Sequence, residues 1–243
     1  CTCTTPVPSS PAMLASAPLM WSLKNWKLKT DKLGGLRQQS PGKEGKRMEE
    51  WRDWGSMTEA DKFKTIFRIL VKREGADSLL AWMGAAGFFE APAGQKHHGA
   101  FAGGLVAHSN NVYRRLVAIH AEESRKNGAI REKFNDETVA VAALLHDICK
   151  TDVYKLEEKD GIYSYTYNDP LPLGHGEKSV YLITRFMQLT TDEALAIRWH
   201  MGAFDKAAQS DFRDLDKTQK QCKLAVMLHI ADMMATHFDE AEV

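Results

Sequence analysis

Two polar residues break into the most apolar stretch of this chain, and that interruption limits what it can fold into. Residues 139–145 read Val-Ala-Val-Ala-Ala-Leu-Leu, and His146-Asp147 follows at once. A run of that composition is buried wherever it folds. The Asp147 carboxylate therefore enters low-dielectric surroundings, where a charge is expensive unless it is paired or bound to a metal.

Two other stretches turn polar groups inward in the same way. Leu105, His108, Val112, Leu116 and Ile119 recur at helical spacing, which puts His108 on a buried face. Asp232 follows Ala225 and Leu228 on one stripe, at i−7 and i−4. Two inward aspartates beside two inward histidines are most simply explained by a shared cation. Imidazole nitrogen and carboxylate oxygen suit one or two divalent ions drawn from Mn, Fe, Ni, Co, Zn or Mg, with no thiolate in the set to force zinc.

The remaining periodicity is also helical. Thr58 and Asp61 resemble a capping box, and Phe63, Ile66, Phe67, Leu70 and Val71 follow as an amphipathic helix ended by Gly75. Asp77 is placed to cap a second helix carrying Leu79, Leu80, Trp82 and Met83, and 84–98 is a Gly/Ala-rich connection. Further helices are expected at about 104–126, 136–151, 176–188, 191–201 and 217–238, with Thr190 or Thr191 as a cap. Between them, Asp160-Gly161 followed by Ile162, Tyr163, Tyr165 and Tyr167 signals a hairpin. The fold class is all-α, a helical bundle with one small β-hairpin excursion. Residues 1–47 are rich in Ser, Thr, Pro and Ala, then basic with scattered glycines, and show no apolar period. They read as a disordered or loosely structured tail, or as a regulatory or partner-binding one, ahead of a working domain at 48–243.

The inward residues also carry a resemblance. His108…His146-Asp147…Asp232 resembles the H…HD…D signature of the HD superfamily of metal-dependent phosphohydrolases, over roughly 101–237. Gly103-Gly104-Leu105-Val106-Ala107-His108 is similar to the Gly-Gly-Leu-x-x-His sequence that opens the family's first ligand helix. Leu144-Leu145-His146-Asp147-Ile148-Cys149-Lys150 looks like the family's Leu-Leu-His-Asp-Ile-Gly-Lys, with Cys149 in place of glycine. The resemblance implies an HD-domain bundle in which His108, His146, Asp147 and Asp232 hold one metal. It also implies that Asp147, His175 and His200 hold a second, with Asp147 shared. Such pairs clamp a phosphoryl group and activate water. Lys150 would then offset phosphate charge beside catalytic Asp147, or else favour the dipole at a helix end. Arg198 is a weaker candidate for the phosphate, and Glu177 for orienting a histidine or acting on a water. His98 is a candidate for the pocket rim, while His97, His120, His229 and His237 read as surface or packing residues. Cys149 reads as a small buried apolar residue. The hairpin tyrosines either lid the pocket and stack on a base or simply pack an edge.

Charge and cysteine usage narrow the function. With 32 basic and 32 acidic residues the formal net charge is zero, so the overall basic field of non-specific nucleic-acid binders is missing. A small nucleotide-type phosphoester is the expected substrate, and a long nucleic acid is disfavoured. Cys1, Cys3, Cys149 and Cys222 form no disulfide framework, which fits a reducing, cytoplasmic setting. No run reaches the roughly 18 apolar residues that a membrane span needs, and no basic segment precedes the apolar 11–21 to make a signal peptide. The function expected is metal-dependent hydrolysis of a nucleotide-type phosphomonoester or phosphodiester. Two rivals are a 3′-to-5′ exoribonuclease on short single strands, for which the N-terminal segment offers no OB-fold, and a non-catalytic nucleotide-binding sensor. Composition and spacing leave the oligomeric state open.

Overall fold

The computed structural model describes residues 54–241 apart from 97, 98 and 160. The expected tail at 1–47, its boundary with the working domain, and His98 at the pocket rim lie outside the described residues. Helix α1 (Glu59–Leu70) starts where the Thr58 hydroxyl accepts the Asp61 N–H, and it buries Phe63, Ile66 and Phe67. Helix α2 (Ala76–Ala86) is entered from Gly75 rather than capped by Asp77, which sits in its first turn. Gly75 has φ 84°, and a Cβ there would fall 1.8 Å from the Phe186 carbonyl oxygen, so both conformation and space call for glycine. Gly84 lies inside α2 and not in the connection expected to begin there.

Helices α3 (Gly104–Lys126), α4 (Gly128–Lys133) and α5 (Asp136–Leu145) follow. Every residue of α5 from Thr138 to Leu145 is buried. Ala140, Val141, Leu144 and Leu145 pack into one apolar cluster with α1 and α2, while Val139, Ala142 and Ala143 pack into a second with the C-terminal helices. Helix α5 is thus the axle of the fold, each of its fully buried leucines contributing about 1.5–3 kcal/mol.

The expected helix at 136–151 stops at Leu145. His146 caps it, Asp147 leaves the helical region at φ −107° and ψ 18°, and the chain tightens into a 3₁₀ turn, Ile148–Asp152. In an unbroken helix adjacent side chains diverge by about 100°. The break lets His146 and Asp147 face the same point. The turn feeds a hairpin, β1 (Tyr154–Lys159) and β2 (Ile162–Tyr167), with Tyr154 opposite Tyr167, Leu156 opposite Tyr165 and Glu158 opposite Tyr163. That register lines up the tyrosines of both strands on one face.

Helices α6 (His175–Thr184) and α7 (Thr191–Trp199) are slightly shorter than expected, and α7 starts with a full capping box between Thr190 and Glu193. After a short 3₁₀ turn (Gly202–Phe204) and α8 (Lys206–Ser210), the single helix expected at 217–238 is two: α9 (Arg213–Gln221) and α10 (Lys223–Met234). Between them Cys222 is extended, at φ −119° and ψ 97°, and fully buried. Helix α9 buries only Leu215 and Thr218, whereas α10 buries Leu224, Ala225, Met227, Leu228 and Ala231. Two helices with such different burial need a corner between them. A π-helical turn, Ala235–Asp239, ends the described fold. Among the described residues no helix is long and apolar enough to cross a membrane.

Close backbone contact sets the spacing of α6 and α7, the helices that carry His175 and lead into His200. A Cβ on Gly176 would lie 2.1 Å from the Arg198 carbonyl oxygen. Gly176→Ala is expected to force the two helices apart and cost about 1–3 kcal/mol, measured by urea unfolding. Unchanged stability would show that this contact does not set the spacing.

Candidate metal centre

The end of α5, the first third of α3, the start of α6, the end of α7 and the last turn of α10 each send one or two polar side chains to one point. His108, His146, Asp147 and His200 are almost completely buried, between 0% and 2% exposed. The Asp232 side chain is 15% exposed and that of His175 29%. Asp147 is the hub. Its Oδ1 meets His175 Nε2 at 2.6 Å and His200 Nε2 at 3.3 Å, while its Oδ2 lies 3.5 Å from His146 Nε2 and 3.7 Å from His108 Nε2. Asp232 Oδ1 closes the second group, 3.2 Å from His108 Nε2 and 4.0 Å from His146 Nε2. One carboxylate therefore faces two sets of imidazoles, one with each oxygen.

The ring orientations suit a metal. His146 Nδ1 donates to the Ala143 carbonyl at 2.8 Å and His200 Nδ1 to the Ile197 carbonyl at 2.7 Å, both three residues back. His108 Nδ1 donates to the Glu240 carboxylate at 3.0 and 3.1 Å, and Asn111 Nδ2 holds that carboxylate at 2.9 Å. Carbonyls and carboxylates only accept, so these contacts fix the Nδ1–H tautomer and point Nε2 inward, as metal-binding histidines require. His108 and His146 bring their Nε2 atoms within 3.3 Å of each other. His200 Nε2 is buried with no hydrogen-bond partner. An orphaned buried nitrogen is costly, and a cation is the group that satisfies it. Sets of ligand atoms within 4.8 Å of one another comprise His108, His146 and Asp147; His146, His200 and Asp232; and Asp147, Cys149 and His175. The residues present fit divalent ions.

Electrostatics follow from burial and neighbours. Burial alone would lower the His108 pKa, but hydrogen bonds and charge from Asp232 and Glu240 raise it to about 9. For His175, burial is likewise outweighed, by Cys149 and Asp147, to about 10. His200 goes the other way: burial, aided by His146 and His175, holds it below the usual histidine range, neutral and fit to donate a lone pair. Burial works against both aspartates. Lys150, His146 and His175 nevertheless hold Asp147 well below the carboxylate range, and His108, His146 and His200 do the same for Asp232.

All seven sequence-derived site residues meet here. Lys150 does so by placing Nζ 2.7 Å from Asp147 Oδ2, which raises its pKa despite burial. Three other readings need correction. The Arg198 guanidinium is claimed by Glu177 at 2.5 Å and Asp205 at 2.9 Å and lies over the Trp199 ring, so its charge is already answered. Glu177 accordingly holds that arginine and not a site histidine. Cys149 is buried but no inert filler, since its Sγ lies 3.4 Å from His175 Nδ1. His229, read as a surface or packing residue, does pack: it fills the space beside Gly202, and its Nδ1 also donates to the His200 carbonyl at 2.6 Å. It lies three residues before Asp232 on α10, and that same-face spacing was the available signal. Nothing in the helical pattern of the sequence marks Glu240. Its N–H bonds the Ala235 carbonyl, an i→i+5 step that shifts the phase of any helical pattern.

The HD domain family model matches residues 105–236, more than half of the chain. The chain belongs to this family, the HD-domain metal-dependent phosphohydrolases. No curated protein and no solved structure matches it.

Two outcomes follow from the centre. Glu240→Ala frees the His108 ring and is expected to weaken metal binding by about 10–100-fold with the fold intact; isothermal calorimetry that finds unchanged affinity would contradict this. Metal must also displace protons from His108 and His175, so affinity should rise with pH through the neutral range, with proton release visible in buffers of different ionisation enthalpy. For the metal-free fold the sign reverses. The folded pKa of His108, about 9, exceeds its unfolded 6.5, so its stabilising contribution is complete below pH 6.5 and is lost as pH rises through 9. Metal affinity that is flat from pH 6 to pH 9 would contradict the assignment.

Proposed function

We propose that this protein hydrolyses a phosphomonoester or phosphodiester bond in a small nucleotide-type substrate. The observation that carries the reading is the position of Asp147, whose two carboxylate oxygens face different imidazole sets. His108, His146, Asp147 and Asp232 would hold one divalent ion, and Asp147, His175 and His200 a second. When bound, such ions supply Lewis acidity toward the phosphoryl oxygens and make water acidic enough to attack near neutral pH.

The chain's own residues supply the rest. The carbonyls of Ala143 and Ile197 and the Glu240 carboxylate keep three imidazoles in the donating tautomer. Lys150 keeps its proton beside Asp147. It carries a positive charge at the rim of the buried cluster, where it would offset charge growing on the phosphoryl oxygens. Tyr154 begins the hairpin two residues after the 3₁₀ turn and feels the charges of Lys150 and Asp147. Its ring meets that of Tyr167 edge-on at 5.9 Å, and Tyr163 and Tyr167 remain exposed. An aromatic face beside a phosphate-binding cluster suits a base attached to the scissile phosphate. The zero net charge favours a small substrate over a long polyanion, and the free buried thiols Cys149 and Cys222 fit a reducing cytoplasm.

The test is turnover of bis-p-nitrophenyl phosphate and a panel of nucleotides across first-row divalent metals. Asp147→Ala is expected to fall to background. Lys150→Ala should lower kcat by about 10²–10³-fold, the usual cost of losing one charge-stabilising donor. Wild-type protein that binds nucleotides tightly yet turns over none with any metal would replace this reading with a sensor.

A further inference from the structure

We propose that Cys149 is a thiolate ligand of the second ion, making that half of the centre thiophilic and selective for zinc, cobalt or iron(II) over magnesium or manganese. The inference rests on the two-ion reading above and concerns a residue outside the histidine–aspartate set. Cys149 is 3% exposed, and its Sγ lies 3.4 Å from His175 Nδ1 and 3.8 Å from His175 Nε2. Nitrogen and sulfur atoms on one zinc sit roughly 3.5–3.8 Å apart for bond angles of roughly 110–125° and bonds of about 2.0 and 2.3 Å, and the distance from sulfur to Nε2, the nitrogen that faces Asp147, lies at the wide end of that range. The Cys149 sulfur, the Asp147 carboxylate and the His175 ring also form one of the three ligand sets whose atoms lie within 4.8 Å of one another. His200 Nε2, fully buried and without a hydrogen-bond partner, is aimed at the same Asp147 oxygen from 3.3 Å.

The juxtaposition is built in twice. Ser179, one turn after His175 on α6, accepts the Cys149 N–H at 3.3 Å. The neighbouring Lys178, itself buried, ties the same helix to the 3₁₀ turn through Asp152 at 2.8 Å and to the hairpin exit through Asp169 at 2.7 Å. These ties hold sulfur and imidazole together without a metal. On binding, the thiol gives its proton to solvent as the sulfur–metal bond forms, with no oxidant or reductant involved. A soft donor among nitrogen and oxygen ligands shifts preference toward thiophilic ions.

Cobalt(II) reports the bond directly. Titrating metal-free full-length protein, with bound cobalt counted by equilibrium dialysis, should give two equivalents per chain, one of them raising a near-ultraviolet sulfur-to-cobalt charge-transfer band. Cys149→Ser and Cys149→Ala should lose the band. A variant combining Cys1→Ser, Cys3→Ser and Cys222→Ala should keep it. Zinc affinity relative to manganese should drop by about tenfold or more in Cys149→Ala. Two equivalents without a band, or a band that survives Cys149→Ala, would overturn the thiolate and leave the two-ion reading standing. Uptake of fewer than two equivalents by wild type would overturn both. Circular dichroism identifies a misfolded variant, and the wild-type titration decides the matter without one.

Discussion

A carboxylate that follows seven consecutive buried apolar residues, Val139–Leu145, is tolerable only if positive or lone-pair-bearing groups surround it, and Asp147 organises the molecule around that need. From Thr138 onward helix α5 is buried on all sides between two apolar clusters, so whatever follows it is delivered to the interior. The chain meets the cost by converging four other segments on the carboxylate: α3 with His108, α6 with His175, the end of α7 with His200, and the 3₁₀ turn with Lys150. Removing one partner from such a set leaves a buried charge uncompensated, which is far more damaging than any single contact is favourable.

The ring of residues behind these groups is as specific as the groups themselves. Backbone carbonyls three residues back fix His146 and His200 at their helix ends, so local helix geometry does the orienting. His108 sits inside α3, away from its C-terminal end, and the Glu240 carboxylate takes that task, itself held by Asn111. The C-terminal segment therefore belongs to the centre although it lies outside the matched family region. Glycines set the remaining distances: Gly176 lets α6 close on the Arg198 backbone, and Gly202 leaves room for the His229 ring.

Much of this was legible in the residues alone, for a physical reason. Periodicity reports which side of a helix is buried, so polar residues on apolar stripes announced themselves at His108, His146, Asp147 and Asp232. The longer helices, the hairpin and the Thr58 and Thr190 caps were readable on the same basis, whereas the short α4 and α8, which bury at most one residue each, were not. What periodicity cannot report is a change of axis. The end of α5 falls where an apolar run meets His146-Asp147, and the corner at Cys222 sits between Gln221 and Lys223, neither with a proline or glycine to mark it. Glu240 was hidden by the π-helical phase shift. Nothing along the chain shows that His229 supports the His200 backbone or that Cys149 touches His175.

The most direct test of the central claim is anomalous diffraction from crystals of the metal-loaded protein, collected at the absorption edge of the bound ion. The account predicts a peak within bonding distance of His108, His146, Asp147 and Asp232, and a second on the His175 side of the Asp147 carboxylate. A protein whose anomalous peaks lie elsewhere, with this cluster satisfied by its own hydrogen bonds, would contradict it.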